Sequence, residues 1–193
     1  MHIADLRTIQ GVEPFRFPVP RTPGFEGIGH VLRVGSAVRH LKVGDRVFPA
    51  LASGTFREEV RCKAAACMPA PEGDAIQLSL LTVNGPTAEV LLEDFADLQR
   101  GDWLIQNAAN SSCGRYLIRL ARLKGVRTVN VVRRAEMVDE LRELGGDVVL
   151  VDGPDLAARA REVVQGAPIK LGIDAVAGPA TQRIAECLAP GSI

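Results

Sequence analysis

The sequence predicts an α/β chain in two parts: an irregular β-rich segment, then an incomplete, doubly wound parallel sheet. Two observations carry this. Eight of the twelve prolines lie at or before Pro86. Beyond it, short apolar runs alternate with amphipathic stretches, the pattern of parallel strands buried under helices on both faces. The boundary falls at 83/84, giving parts 1–83 and 84–193.

In the first part, Pro18-Val19-Pro20-Arg21-Thr22-Pro23 reads as extended loop, because each proline disfavours helix in the residue before it. Ile28–Val34 is a strand candidate. Val43-Gly44-Asp45-Arg46-Val47 is a turn delivering a second strand, and Thr55–Cys62 is a third. In the second part, Thr87–Glu93 is expected to be helical and Trp103–Gln106 a short buried strand. Gly114–Lys124 is a helix with an apolar stripe of Leu117, Ile118, Leu120, Ala121 and Leu123. Thr128–Val132 is a strand, and Ala135–Leu144 a helix ended by Gly145-Gly146. Val148–Val151 and Leu171–Val176 are strands; Leu156–Gln165 and Ala180–Leu188 are helices.

Composition narrows the function classes. The chain has 193 residues, 47% of them hydrophobic, with 23 Lys+Arg against 23 Asp+Glu. Balanced charge leaves no field to recruit nucleic acid or an anionic membrane surface. One Trp, one Tyr and six Phe are too few for base-stacking platforms. No apolar run is long enough to span a bilayer. The start, MHIADLRTIQG, lacks a basic segment followed by an apolar one, so a cytoplasmic location is expected by default. Cys62, Cys67, Cys113 and Cys187 have no zinc spacing and read as isolated thiols.

One segment carries chemistry. Gln106-Asn107-Ala108-Ala109-Asn110-Ser111-Ser112-Cys113-Gly114 joins the first strand of the second part to its first helix. Small side chains would let a pyrophosphate approach backbone N–H groups at a helix N-terminus, and Gly114 would let the helix pack tightly on the strand. The three-glycine fingerprint is absent, and an ordinary turn that binds nothing is the competing reading. At the end of the second strand stands Asn130-Val131-Val132-Arg133-Arg134. An Asp or Glu there would suit NAD; paired arginines suit the 2′-phosphate of NADP. The expected cofactor is NADPH. Ala109, Asn110, Ser111, Ser112, Cys113 and Gly114 would hold its pyrophosphate, and Arg133 and Arg134 its adenosine phosphate.

Gly24-Phe25-Glu26-Gly27-Ile28-Gly29, Val34-Gly35 and Leu41-Lys42-Val43-Gly44-Asp45-Arg46-Val47 resemble the GroES-like catalytic domain of medium-chain dehydrogenases/reductases. Asn84-Gly85-Pro86-Thr87-Ala88 resembles the segment at that superfamily's interdomain hinge. Gln106–Ser111 and Thr128–Arg133 look most like mitochondrial-type trans-2-enoyl thioester reductases. The resemblance implies a partial GroES-like domain over 1–83 and a Rossmann NADP-binding domain over 84–193. It implies a reductase passing hydride to an activated alkene, a 2-enoyl thioester, or to a quinone. Asn84 and Thr87 would border the nicotinamide and a small-molecule substrate; neither nucleic acid nor membrane is a partner, and a homo-oligomer is compatible.

Three features depart from that pattern. Zinc members carry His where this chain has Phe25, which cannot ligate a metal, so no metal site and no zinc alcohol dehydrogenase is expected. Enoyl reductases place a Tyr shortly after the segment resembling Ile9-Gln10-Gly11; here Val12, Glu13, Pro14 and Phe15 follow, and the catalytic acid stays unassigned. Glu13 would serve only if burial raised its pKa. Tyr116, on the first helix of the second part, reads as structural. The Rossmann fold has six strands, whereas four are counted here, so the chain reads as truncated. The alternative to a working reductase is a catalytically silent nucleotide-binding or scaffold remnant of one.

Overall fold

The structure, a computed structural model, describes residues 3–12 and 17–193. It contains two compact units, Met1–Val83 and Asn84–Ile193.

The first unit is mostly irregular. Helix α1 (Ile3–Ile9) opens it. Its Asp5 is buried and accepts a hydrogen bond from the Gly24 amide at 3.0 Å, which anchors the helix on the following loop. Three very short strands, β1 (Gly29–His30), β2 (Arg46–Phe48) and β3 (Met68–Pro69), form an antiparallel sheet in the order β1-β2-β3. A four-residue helix, α2 (Ala75–Leu78), is capped by Asp74, whose carboxylate accepts from the Gln77 amide.

Two expectations for this unit need correction. Ile28–Val34 is strand only at Gly29–His30. Thr55–Cys62 is not a strand. The amides of Gly54 and Thr55 donate to the Gly24 carbonyl and that of Phe56 to Pro23, so this backbone is tied to a loop instead of a ladder. A Cβ on Gly24 would stand 2.4 Å from the Thr55 nitrogen, and only glycine permits that approach. The helix α1 and the strand β3 were not anticipated; their sequences lack the periodicity that would announce them.

The second unit begins on α3 (Leu81–Glu93), a helix that crosses the unit boundary. It starts six residues earlier than expected and carries Pro86 inside it, a residue that reads as a breaker because it removes an amide donor. Then follow β4 (Trp103–Gln106), α4 (Ser112–Lys124), β5 (Arg127–Val132), α5 (Val138–Leu144), β6 (Val148–Val151), α6 (Leu156–Val163), β7 (Ile169–Ile173) and α7 (Pro179–Ala185). A 3-10 turn, Ala135–Met137, precedes α5 and takes the first residues expected of that helix. β7 starts at Ile169 and ends at Ile173, short of Val176, because Asp174 gathers the next amides into a turn.

All pairings in this sheet are parallel, and the order is β6-β5-β4-β7. The chain thus runs outward from β4 through β5 to β6, then crosses back to place β7 on the other side of β4. Alternation sorts the side chains. Trp103, Ile105, Val129 and Val131 face Leu156, Ala160, Val164 and Ile184 of α6 and α7. Leu104 and Leu171 face Ala88 and Leu92 of α3 and Leu117 and Ala121 of α4. Val132 and Val149 meet Ile118 of α4 and Leu141 of α5. Helices therefore cover both faces, the doubly wound arrangement of a Rossmann sheet, here with four strands.

Candidate functional site

A doubly wound sheet opens a crevice at the carboxyl ends of its strands where the winding direction reverses. In this chain that point lies between β5–β4 on one side and β7 on the other. Two loops leave it: residues 107–111 into α4, and 174–178 into α7.

The first loop is tightly held. The Ala109 amide donates to the Val131 carbonyl at 3.2 Å, and Ala109 is fully buried. Ala108 adopts φ 46°, and the Ser111 amide closes the turn on its carbonyl at 2.8 Å. Ser111 is the N-cap of α4; its hydroxyl accepts from the Gly114 amide at 3.1 Å. A Cβ on Gly114 would sit 2.6 Å from the Ala109 carbonyl oxygen and 2.8 Å from its Cα. Helix and turn thus pack backbone against backbone, so the amides of Ser112 and Cys113 head the helix over a turn of small side chains. Arg115 braces the far side, donating to the Asn110 carbonyl at 3.0 Å and pairing with Glu140 at 2.6 Å. The Cys113 thiol, at the first turn of α4, is pushed up by burial.

Arg133 and Arg134 follow β5 on the same carboxyl edge. Both are exposed. The Arg133 side chain has no partner among the described residues. Arg134 stands 3.6 Å from Glu136, an exposed pair of little energetic weight that a bound anion would readily replace. Asn84 and Thr87 lie on α3, one turn apart, Asn84 buried and Thr87 exposed. They belong to a helix that begins before the boundary between the two units, at 83/84.

Several polar residues at the crevice were not anticipated. The Asn107 amide donates to Asp174 at 2.5 Å, its carbonyl accepts from the Ala175 amide at 2.7 Å, and its own backbone amide donates to the Ile173 carbonyl. Asp174 also accepts from Thr181 at 2.5 Å and from the amides of Val176 and Ala177. Burial raises the Asp174 carboxyl, but the hydrogen bonds from Thr181, Asn107 and those amides outweigh it and hold it down at about 2. This clamp fastens the two loops together. Beneath the turn, Gln106 donates to the Gly114 carbonyl at 3.1 Å and to Asn130 at 2.8 Å; Asn130 donates in turn to Thr128 and to the Val148 carbonyl. The signal for this network was in the sequence: Gln106 and Asn130 are polar residues inside otherwise apolar strands.

The remaining sequence readings sort as follows. Phe25, where a zinc ligand would stand, packs edge-on against Phe17 with centroids 5.9 Å apart. Among the described residues, no group of three or more His, Cys, Asp or Glu side chains is arranged to hold a metal ion. Glu13, Pro14 and Phe15 lie outside the described residues. Tyr116 is half-buried against the core beneath α3 and α4. The reading of four isolated thiols is corrected: Cys62 and Cys67 lie with their Sγ atoms 3.3 Å apart, brought together by the turn between them. No helix among the described residues is long and apolar enough to cross a membrane.

Comparison with known proteins places this geometry. Residues 1–72 match the alcohol dehydrogenase GroES-like domain. The chain is 38% identical over 194 residues to a mitochondrial enoyl-[acyl-carrier-protein] reductase of Caenorhabditis elegans, covering 97% of this chain and 55% of that protein. The corresponding rat protein is 36% identical, with 97% and 52% covered. The chain thus spans about half the length of the curated relatives it matches. A structure described as an NADPH:quinone reductase from Bacillus thuringiensis superposes with TM-score 0.88 at 32% identity, covering all of this chain and 59% of that one. A mitochondrial 2-enoyl thioester reductase of Candida tropicalis, solved as a heterodimer, gives TM-score 0.88 at 25% identity, with 100% and 62% covered. One of its protomers, in a complex with NADP and crotonyl-CoA, matches equally well, at TM-score 0.88.

The expectation of a cytoplasmic location is overturned by these relatives, which are mitochondrial proteins by name. It rested only on the composition of the first residues, which carries no weight against a set of homologues assigned to an organelle. GroES-like segment, sheet order, relatives and structural neighbours agree: the chain is similar to the medium-chain dehydrogenase/reductase superfamily, and within it to enoyl thioester and quinone reductases.

Proposed function

We propose that this chain is the GroES-like and nucleotide-binding portion of an NADPH-dependent reductase acting on 2-enoyl thioesters, or on quinones. Residues 1–83 form the catalytic-domain portion and residues 84–193 the NADP-binding domain. The observation that carries the reading is the cradle at Gly114. A strand-to-helix turn at the crevice, packed so closely that a single Cβ would collide with the Ala109 backbone, sets the Ser112 and Cys113 amides at the head of α4 over small side chains. That is the requirement of a pyrophosphate site. Ala109, Asn110, Ser111, Ser112, Cys113 and Gly114 hold the pyrophosphate. Arg133 and Arg134 hold the 2′-phosphate, for which exposed guanidinium groups at the end of β5 are suited.

When bound, NADPH supplies the hydride; the chain's own residues supply binding and orientation. Asn84 and Thr87 border the nicotinamide and the substrate. The Asn107–Asp174–Thr181 clamp keeps the turn from spreading as the anion enters. The relatives named for enoyl-acyl-carrier-protein substrates favour the thioester; the quinone reductase neighbour supports the second acceptor.

The test is an equilibrium fluorescence titration with NADPH and with NADH, followed by NADPH consumption with a crotonyl thioester and with a quinone. NADPH binding at least tenfold tighter than NADH is expected, and turnover with either acceptor identifies the substrate. Equal affinity for both nucleotides rejects the assignment to Arg133 and Arg134. NADPH binding with no turnover of either acceptor establishes the silent remnant instead.

A further inference from the structure

Cys62 and Cys67 play no part in the dinucleotide site. They flank a 3-10 turn, Ala64–Ala66, in the first unit, and both are half-buried. Main-chain bonds build the turn that brings them together: the Ala66 amide donates to the Lys63 carbonyl and the Cys67 amide to the Ala64 carbonyl, each at 3.0 Å. His40 adds a hydrogen bond from another loop, its Nε2 lying 3.1 Å from the Ala64 carbonyl oxygen. The two sulfurs lie 3.3 Å apart across this turn, whose shape those main-chain bonds and the His40 contact hold. Arg61 and Lys63, both exposed, stand on either side of Cys62.

We propose that Cys62 and Cys67 form a reversible dithiol–disulfide site that exchanges with a small disulfide of the glutathione class. A thiolate of the pair attacks one sulfur of the small disulfide, making a mixed disulfide and releasing one glutathione thiolate. The second cysteine gives up its proton and attacks the protein sulfur of that mixed disulfide, releasing the other glutathione. The two cysteines lose two electrons and two protons in all, and one oxidised glutathione becomes two reduced ones. The exposed cations beside Cys62 attract the anionic tripeptide. Burial, and then the hydrogen bond with Cys62, push the Cys67 thiol up. The contact with Cys62 is what places Cys67 for the second step, where proximity offsets its smaller thiolate fraction. Cys113 and Cys187 serve as internal controls: burial raises both thiols, Cys187 to about 11.

The experiment takes the whole chain through buffers of stepped oxidised-to-reduced glutathione ratio, followed by quenched alkylation and peptide mass spectrometry. The expected result is that Cys62 and Cys67 lose alkylation together, in a monomer lighter by two hydrogen atoms, and regain it with dithiothreitol. In Cys67→Ser the second step is removed, so a stable glutathione adduct on Cys62 is expected. The wild-type result decides even if that variant does not fold. A glutathione adduct on one cysteine with the other still free would overturn the proposal. So would a disulfide-linked dimer, or two free thiols in the most oxidising buffer.

Discussion

Gly114→Ala tests the cradle most directly, because two effects of opposite sign meet there. In an ordinary helical position, replacing glycine by alanine stabilises a protein by about 0.4–1 kcal/mol, through lower unfolded-chain entropy and better helix propensity. At Gly114 the new methyl would lie 2.6 Å from the Ala109 oxygen, 2.8 Å from its Cα and 2.9 Å from its carbonyl carbon, all backbone atoms of a buried residue. Ala109 cannot retreat without breaking its bond to Val131. Overpacking of this kind costs about 1–3 kcal/mol. The collision outweighs the propensity gain, and a net loss of about 1–2 kcal/mol is expected. For a cooperative unit near 100 residues, each kcal/mol lowers Tm by roughly 4–8 °C. Circular-dichroism melts of the two proteins read that shift, and nucleotide titration reads the accompanying loss of NADPH affinity. A variant melting at or above the wild-type temperature would refute the backbone-on-backbone packing, and with it the cradle.

Arg133→Ala should weaken NADPH binding by at least tenfold, since a charge-assisted bond is worth about 1.5–3 kcal/mol, and leave NADH nearly unchanged; parallel titrations decide. Asp174 has its folded pKa depressed, from 3.8 to about 2, so its contribution to stability is full above about pH 4 and is lost as pH falls toward 2. Denaturant unfolding of wild type and Asp174→Asn should therefore diverge at neutral pH and converge near pH 2; a constant gap would refute the clamp. Asn130→Ala leaves Gln106 and Thr128 short of buried partners and should cost about 1–3 kcal/mol per unsatisfied group, read from urea midpoints. Dialysed protein should show no stoichiometric zinc by elemental analysis, because Phe25 occupies a ligand position.

The second unit was legible where burial acts on a regular period. Trp103–Gln106 and Val148–Val151 fall where their apolar runs place them, because a strand covered on both faces leaves little choice of residue. The stripe of α4 likewise marks the helix, and only its first two residues, Ser112 and Cys113 after the Ser111 cap, were missed. The first unit was not legible. Its strands are two or three residues long, too short to alternate, and its order comes from loop contacts such as Asp5 with Gly24. Tertiary contacts between distant loops leave no local trace. Arg133 and Arg134 announced themselves by charge, whereas the Asn107–Asp174 bond joins residues 67 positions apart, and neither residue is unusual in its own neighbourhood.

The amides buried in β4 and β5 also act as a key for strand alignment. A sheet built from Trp-Leu-Ile and Thr-Val-Asn-Val-Val offers many nearly equivalent apolar overlaps. Gln106 and Asn130 are opposite one another in the observed register, and their side chains bond across it. Sliding either strand by one residue would turn one amide to the opposite face, into the packing of α6 and α7. It would leave at least two buried polar groups without partners, at about 1–3 kcal/mol each. One hydrogen bond between two strands thus excludes the neighbouring alignments. It also sets the height at which the β4 turn emerges relative to the arginines that end β5.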